Sequence, residues 1–355
     1  MDSMKLEDCC EILDSQRVPI TGSDRTSGDY PYYGANGIQD YVDDFIFDDE
    51  LVLLAEDGGN FGSKTRPIAY RVSGKCWVNN HAHVLKPKAG LDVDYLCYSL
   101  MFYDVGGMVN GATRQKLTQA AMRQMIIPKR SLDEQIEIVN IIKKVQGVIA
   151  SRKEELEQLD LLIKARFVEL FGDININDKN WKYEPLGELC TIVRGGSPRP
   201  IEQFLGGDVP WIKIGDATDG DSIYLNSTKE HIIQEGIKKS RLVKEGSLIF
   251  ANCGVSLGFA RIITFDGCIH DGWLAMEDID ERLDKVFLLQ ALNQMTEHFR
   301  AIAPAGTQPN LNTAIMKAYK QVIPPIELQR EFINFAKQVT KSKVAVQKAL
   351  DETQI

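Results

Sequence analysis

The chain contains an internal repeat, and this repeat limits the folds it can adopt more than any other feature. The stretch TRQKLTQAAM at 113–122 is matched by TQPNLNTAIM at 307–316. Two further matched pairs lie upstream of these stretches, in the same order in both copies. They are LEDCCEI with LGELCTI, and LVLLAEDGGNFG with SLIFANCGVSLG. The offset of about 190 residues is too long for a solenoid repeat. The sequence therefore predicts two copies of one folding unit.

Each copy ends in a segment that predicts a long helix. The segment from Leu132 to Phe171 has no proline and carries apolar side chains mostly at three- and four-residue steps. Forty such residues would span about 60 Å. Gly172 is expected to cap this helix in the left-handed conformation, and Gly147 is expected to mark a kink or a close approach. A second helix is predicted from Glu327 to about Leu350.

Each long helix has only one apolar stripe, so its expected partner is the other helix, in an antiparallel coiled coil. The rest of the chain predicts short strands between turns. We predict an α+β protein in four parts: a mixed α/β domain at 1–130, a long helix at 131–172, a connector with a second domain at 173–325, and a C-terminal helix at 326–355. Two similar domains on a stiff spacer suit a ligand with approximate two-fold symmetry, such as duplex DNA with half-sites about 34–36 Å apart.

Composition excludes several classes of protein. A hydrophobic content of 44% with 26% charged residues is typical of a soluble globular chain. No apolar run reaches the roughly 18 residues of a membrane helix, and the acidic N-terminus does not resemble a signal peptide. Seven cysteines without a C-x-x-C pair favour reduced thiols in the cytoplasm. The net charge of −9 means that any DNA contact must use local basic loops or partner subunits.

Several motifs together resemble the specificity (S) subunit of type I restriction-modification systems. They are LGELCTIVRGGSPRP, GGDVPWIKIGD, GTQPNLNTAIMK, IPPIELQREFI and ARFVELFGD, and they cover the chain in that family's order. The resemblance implies two target recognition domains, each reading half of a split double-stranded DNA site, with helices that set the gap. It also implies two docked methyltransferase subunits that carry S-adenosylmethionine, and restriction subunits that can join the complex. This chain itself is then expected to have no catalytic residues, cofactor or metal.

Candidate DNA-contacting residues lie on polar loops that also contain glycine. Such loops present side chains that bind base edges or phosphates, although the same strings also occur as purely structural turns. The predicted set is Asn60, Ser63, Lys64, Arg66, Arg114, Gln115, Lys116, Arg194, Ser197, Arg199, Lys213, Asn252, Ser256, Thr307, Gln308 and Asn310.

Other functions remain open at this stage. The stretch EDGGNFGSKTR fails the spacing of a phosphate-binding loop because Ser63 intervenes before Lys64. His81 and His83 alternate as two metal ligands would, but no further cluster at ligand spacing completes a site. The acidic run 40–50 is interpreted as an edge strand with a solvated face. The alternatives are a free-standing DNA-binding or regulatory protein, or a metal-dependent nuclease using these histidines and the acidic run.

Overall fold

The computed structural model describes residues 2–111, 114–218, 223–254, 256–304 and 309–354. The chain divides into two compact units, residues 1–150 and 151–355. This division falls inside the long helix predicted at 131–172. The seven cysteines carry free thiols. Within the described residues, no helix combines the length and apolar character required to cross a bilayer.

The first unit is built on a mixed sheet. Its elements in chain order are β1 (Ser3–Lys5), α1 (Leu6–Cys9), β2 (Cys10–Ile12), β3 (Ser27–Gly34), β4 (Gly37–Val42), β5 (Phe47–Ala55), β6 (Ala69–Val78), β7 (Ala82–Pro87), α2 (Val93–Met101), β8 (Val109–Asn110), β9 (Lys116–Leu117), α3 (Gln119–Arg123), β10 (Ile126–Pro128) and α4 (Leu132–Phe171). The six-stranded sheet has the order β2-β7-β5-β6-β3-β4. β3 runs parallel to β6, and the other neighbours are antiparallel.

The sheet of the first unit is buried on both faces at its centre. Side chains alternate between faces along a strand. In β5, Val52 and Leu54 pack in one apolar cluster with α2, whereas Leu51 and Leu53 pack in another. This explains why LVLLA is a continuous apolar run. Strand β4 lies at the sheet edge, as predicted for the start of the acidic run, but the end of that run enters the central strand β5 at Phe47.

The second unit repeats this plan. Its elements are β11 (Tyr183–Pro185), α5 (Leu186–Leu189), β12 (Thr191–Arg194), β13 (Leu205–Ile212), β14 (Tyr224–Leu225), β15 (Glu230–Ile232), α6 (Gln234–Ile237), β16 (Arg241–Val243), β17 (Leu248–Ala251), β18 (Ala260–Ile263), β19 (Gly267–Ile269), β20 (Trp273–Glu277), α7 (Lys285–Gln294), α8 (Thr296–Ile302), α9 (Thr313–Ala318), β21 (Lys320–Val322) and α10 (Ile326–Gln354). Its sheets have the orders β12-β20-β17-β18-β14 and β15-β13-β19-β16. The single strand β6 of the first unit corresponds to β18 and β19 here, so one sheet becomes two.

The repeat predicted from the sequence is confirmed by matching backbone hydrogen bonds. In the first unit, the N–H of Leu117 donates to the carbonyl of Glu56 at 2.7 Å, and in the second, Leu311 donates to Asn252 at 2.8 Å. Both bonds join the loop after the central strand to the segment before a short helix. Those short helices, α3 and α9, are both capped by a polar side chain at the matching position, Thr118 in the first unit and Asn312 in the second.

The two long helices are confirmed. α4 has the predicted bounds, and Gly172 ends it with φ of 75°. α10 extends a few residues beyond the predicted end. The helix is continuous through Gly147, and nothing in the described part of the chain lies within 4 Å of a Cβ placed there. Of the two alternatives expected at Gly147, a kink or a close approach, the close approach is therefore wrong for the described part of the chain.

The end of α4 packs against α10 inside the second unit. The rings of Phe167 and Phe332 lie 5.4 Å apart between centroids, and both are buried. Arg166 pairs with Glu331 at 2.6 Å, and Asp160 pairs with Lys343 at 2.5 Å. As the residue number rises along α4 it falls along α10, so the two helices are antiparallel, as predicted.

Candidate nucleic-acid interface

In the first unit, the loop after β5 meets the segment that carries three predicted DNA contacts. The N–H of Gly58 donates to the carbonyl of Gln115 at 3.2 Å, and Asp57 forms a β-bridge with Lys116. Gly58 has φ of 63°, the left-handed region that favours glycine. The side chains of Arg114, Gln115 and Lys116 are exposed. The structure thus brings two predicted loops into one surface.

Arg114 is oriented by a carboxylate on this surface. Its Nη2 donates to Oδ1 of Asp57 at 2.7 Å, and Nδ1 of His81 lies 2.6 Å from the same oxygen. Arg114 still has 58% of its side chain exposed. A guanidinium carries five N–H donors, and the bond to Asp57 uses one of them. Arg114 is therefore held in place while most of its donors face solvent, which is the arrangement needed to contact a base edge or a phosphate.

A buried charge cluster lies beneath this surface, formed by Asp14, Glu56, His83 and Arg17. Nδ1 of His83 lies 2.7 Å from Oδ2 of Asp14, and its Nε2 lies 2.9 Å from the carbonyl of Leu117. Since a carbonyl only accepts, and an ionised Asp14 only accepts, the imidazole carries a proton on both nitrogens when Asp14 is ionised. Burial raises the pKa of Asp14, but the hydrogen bond and charge of His83, together with hydrogen bonds from the N–H of Val84 and from Gln119, bring it below its ordinary value.

The cluster is balanced by two cationic side chains besides His83. Arg17 donates to Glu56 at 2.6 Å and to the carbonyl of Ala82 at 2.7 Å. Lys116 lies 2.9 Å from the other oxygen of Glu56. Burial raises the pKa of Glu56, but its bonds to Arg17 and Lys116, together with the charges of His83 and Arg17, make the net shift downward. Lys116, a predicted DNA contact, thus also anchors its own segment to the core.

Asp14, Glu56 and His83 offer ligand atoms within 4.8 Å of one another, the spacing of a metal site. Arg17 already supplies positive charge to Glu56 at this place, so the geometry fits an ion-pair network better than a cation site. Sequence reasoning missed this cluster and grouped His81 with His83 and the acidic run instead. His81 pairs with Asp57, and the run is paired elsewhere, as Asp49 is with Lys86 at 2.7 Å.

The turn at 60–66 divides the predicted residues into two groups. Ser63 and Asn60 shape the turn: Oγ of Ser63 accepts the N–H of Arg66 at 3.0 Å, and the amide of Asn60 donates to Pro67 at 3.4 Å. Lys64 and Arg66 extend from the turn with exposed side chains. Within this turn, the two cations are the groups available to a ligand.

In the second unit, the loop 195–199 is held by Asp271. Nε of Arg194 donates to the carbonyl of Asp271 at 3.0 Å, and Oγ of Ser197 donates to Oδ1 of Asp271 at 2.7 Å. Arg199 lies 3.6 Å from Asp271 and has 80% of its side chain exposed. A Cβ at Gly195 would lie 2.1 Å from the carbonyl oxygen of His270, so only glycine fits there.

The remaining predicted residues of the second unit differ in exposure. Lys213 is half-buried and paired with Glu230. Ser256 is half-buried. Asn310 is also half-buried, and its Oδ1 accepts from Nδ2 of Asn252 at 3.1 Å.

Asn252 does not face a ligand, contrary to the prediction. It is fully buried, and its amide also donates to the carbonyl of Leu311 at 3.2 Å. Its side chain therefore joins two segments of the core. Thr307 and Gln308 lie outside the described residues.

Comparison with known proteins agrees with this geometry. The family described as the type I restriction modification DNA specificity domain matches residues 1–161 and 178–353. A type I restriction enzyme specificity subunit from Haemophilus influenzae is 30% identical over 93% of this chain and 85% of its own length. One from Methanocaldococcus jannaschii is 24% identical over 75% of this chain and 67% of its own length.

Solved structures share the fold. The S subunit of a type I restriction-modification system from M. genitalium matches 99% of this chain and 92% of its own, with a TM-score of 0.55 and 15% identity. A chain from a study of complex assembly and conformational transition in the type I restriction-modification system matches 99% of this chain and 93% of its own, with a TM-score of 0.64 and 16% identity. With its repeated units, its antiparallel helices and two family matches along its length, this chain belongs to the type I restriction-modification DNA specificity family.

Proposed function

We propose that this chain reads a bipartite site on double-stranded DNA, one half with each unit. The observation that carries the proposal is the repeated main-chain joint, which links Glu56 to Leu117 in the first unit and Asn252 to Leu311 in the second. In the first unit this joint presents Arg114, and the turn that follows β5 carries the exposed Lys64 and Arg66. In the second, Arg194 and Arg199 extend from the loop held by Asp271. Arginine and lysine contact guanine edges and phosphates.

Chemistry is delegated to partners in this proposal. Two methyltransferase subunits dock on the chain and supply S-adenosylmethionine, and restriction subunits join the same assembly. The chain itself contributes positioning and sequence readout, without a catalytic residue, cofactor or metal of its own. The overall charge of −9 supports this division, because the attraction to the DNA backbone must come largely from subunits other than this one.

The test is methylation mapping of DNA from cells that carry this chain with its methyltransferase subunit. The expected result is a two-part adenine-methylated motif with a fixed gap. Exchanging residues 183–325 for those of a relative should change one half only. Inserting four residues after Gly147 lengthens the uninterrupted helix α4 by about 6 Å and should change the gap alone. A short continuous motif, or none, would contradict the proposal, and a chain that never co-purifies with a methyltransferase would favour a free-standing DNA-binding protein.

A further inference from the structure

His81 presents an unused hydrogen-bond acceptor on the surface that carries Arg114. Its Nδ1 lies 2.6 Å from Oδ1 of Asp57, and because a carboxylate only accepts, the proton of the neutral ring is on Nδ1. The other ring nitrogen, Nε2, then carries a lone pair. It has no hydrogen-bond partner in the described part of the chain, it is not a buried atom, and its side chain is 33% exposed. A group that arrives from solvent can therefore donate to Nε2.

Arg114 places hydrogen-bond donors next to this acceptor. Its Nη2 lies 3.3 Å from Nδ1 of His81, and both side chains bind the same oxygen of Asp57. The bond to Asp57 uses one of the five N–H donors of the guanidinium, and 58% of the side chain is exposed. Asp57 thus holds a donor group and an acceptor atom close together, and both reach solvent.

The carboxylates at this place are already paired with cations. Asp57 accepts from Arg114 at 2.7 Å, and Glu56 is paired with Arg17 at 2.6 Å and with Lys116 at 2.9 Å. The side chains of the two carboxylates are only 19% and 11% exposed, against 58% for Arg114 and 49% for Lys116. The charge that a ligand meets here is therefore positive, which suits DNA.

A donor beside an acceptor matches the major-groove edge of one DNA base. Adenine presents N7, an acceptor, next to its 6-amino group, a donor. Guanine presents two acceptors there, so its O6 would meet the lone pair of Nε2. Asparagine and glutamine read adenine with one donor and one acceptor of a single carboxamide. Arg114 and His81 offer the same pattern with two side chains.

The second unit lacks this pair, as a matching backbone bond shows. The N–H of Glu56 donates to the carbonyl of His81 at 2.9 Å, and the N–H of Asn252 donates to that of Gly272 at 3.0 Å. Gly272 therefore occupies the place of His81 and offers no side chain. Asn252 is followed by a cysteine where the first unit has Asp57. The arrangement belongs to the first unit, as expected of a feature that specifies one half-site.

We infer that His81 and Arg114 together read one adenine in the half-site of the first unit. Arg114 donates to N7, and Nε2 of His81 accepts from the 6-amino group. The inference rests on the proposed function and deepens it, because it names a base and adds His81 to the residues that read it. Asp57 is then a positioning residue, which contacts both readers and no base.

The experiment measures DNA binding by the whole complex of this chain with its methyltransferase subunits. The duplexes vary the half-site that an exchange of residues 183–325 leaves unchanged. Each adenine of this half-site is replaced in turn by purine, which lacks the 6-amino group, or by 7-deazaadenine, which lacks N7. Binding is measured instead of methylation, so the adenine that is methylated can be replaced as well.

Two variants separate the two contacts. His81→Phe removes the acceptor and keeps a ring, and Arg114→Ala removes the donors. At one adenine, each analogue should weaken binding by the wild-type complex about tenfold, the effect of one lost hydrogen bond. At that adenine purine should have no effect on His81→Phe, whereas 7-deazaadenine should still weaken its binding. Arg114→Ala should show the reverse. A merely structural role of His81 would leave the effect of purine unchanged in His81→Phe.

His231→Phe is the control variant. His231 is a partly exposed histidine on strand β15 of the second unit, so its replacement should leave the effects of both analogues in the first half-site unchanged. Thermal melting checks that each variant is folded.

Three results would overturn the inference. If the wild-type complex binds a bipartite duplex but no adenine of this half-site responds to purine, or the response survives in folded His81→Phe, then His81 reads no base and the proposed function stands. If 7-deazaadenine still weakens binding by folded Arg114→Ala, the assigned pairing is wrong. If the wild-type complex binds no bipartite duplex, the proposed function fails and this inference fails with it.

Discussion

Gln135 and Gln329 hold the same position in the two units and make the same three hydrogen bonds. The Oε1 of each accepts the N–H of the aspartate that caps a helix, Asp92 or Asp284, at 2.8 Å. The Nε2 of each donates to two backbone carbonyls at 2.7–3.0 Å. Both glutamines are fully buried, at the start of α4 and of α10. Each long helix is thereby fixed to its own unit by one carboxamide.

Replacing either glutamine by alanine should destabilise its own unit. Gln329→Ala leaves the N–H of Asp284 and two carbonyls without a partner, and we expect a loss of about 2–3 kcal/mol. Hydrogen exchange of the full chain is the measurement, with lost protection confined to the second unit. Gln135→Ala serves as the mirror variant, and its effect should be confined to residues 1–150. Equal loss of protection in both units from one substitution would contradict this.

His83→Leu should destabilise the first unit strongly. Leu274 lies at the corresponding position of the second unit, so the shape is compatible with the fold, but Asp14 would lose its hydrogen-bonded cation and keep only Arg17, at 3.6 Å. Breaking a buried pair in this way costs about 3–5 kcal/mol. Guanidinium unfolding of the full chain, assigned by hydrogen exchange, measures it. His81→Leu removes a half-exposed partner of Asp57 and should cost under about 1 kcal/mol.

The second unit should lose stability in acid through one arginine. Arg282 makes two bonds of 2.9 Å to each of Glu184 and Asp280. It holds the pKa of Glu184 at about 2, with help from Lys182, and that of Asp280 at about 2. Because these folded-state values lie below the ordinary ones of 4.5 and 3.8, the contribution is complete above pH 4.5 and is lost as the pH falls towards 2.

The measurement for this acid effect is the urea midpoint between pH 5 and pH 2. Arg282→Ala should reduce the decline of the midpoint with falling pH relative to wild type. Lys244→Ala is the comparison variant. It removes one positive charge from the same unit, as Arg282→Ala does, together with an exposed pair with Asp266. Parallel pH profiles for wild type and Arg282→Ala would disprove the role of Arg282.

Phe332→Ala should weaken the packing between α4 and α10. Phe332 is fully buried among Phe167 and Phe171, with centroid distances of 5.4 and 5.7 Å. Truncating a buried phenylalanine costs about 3–5 kcal/mol. Denaturant unfolding should show this loss, whereas Val344→Ala on the same helix, where the side chain is 64% exposed, should change stability by less than about 0.5 kcal/mol. A small effect at Phe332 would mean that the cluster does not hold the helices together.

Arg114 and Lys64 should differ in their effect on DNA binding. Arg114 is oriented by Asp57, so Arg114→Ala should cost about 1–3 kcal/mol and relax the preference for a base in one half-site. Lys64 is an exposed cation on a turn, so Lys64→Ala should weaken binding to all sequences alike. It should also lower the slope of log affinity against log salt concentration by about 1, the effect of one lost phosphate contact. Titrations at several salt concentrations separate the two effects, and identical profiles would refute the distinction.

The features predicted correctly from the sequence are those that depend on neighbouring residues. The apolar period of three and four residues defines α4, and Gly172 ends it because the left-handed cap requires glycine. The repeat could be seen because both copies keep the alanine at the end of the central strand, two glycines after it and the leucine of the joint. Each of these signals is contained within a short stretch of chain.

The features that were missed depend on strand register. Asp14 and His83 are 69 residues apart and meet because β2 pairs with β7, which no local pattern specifies. The burial of Asn252 was missed for the same reason, since polarity favoured a surface position and only the pairing with Leu311 places it inside.

The joint between Glu56 and Leu117, like that between Asn252 and Leu311, is made by main-chain atoms. The side chains around it differ between the units, with a carboxylate in one and an amide in the other. The main-chain bond forms in both units although the residue that accepts it differs. We expect that exchanging an exposed side chain beside this bond, such as Arg114, leaves the fold intact, so that target preference can change by point substitution.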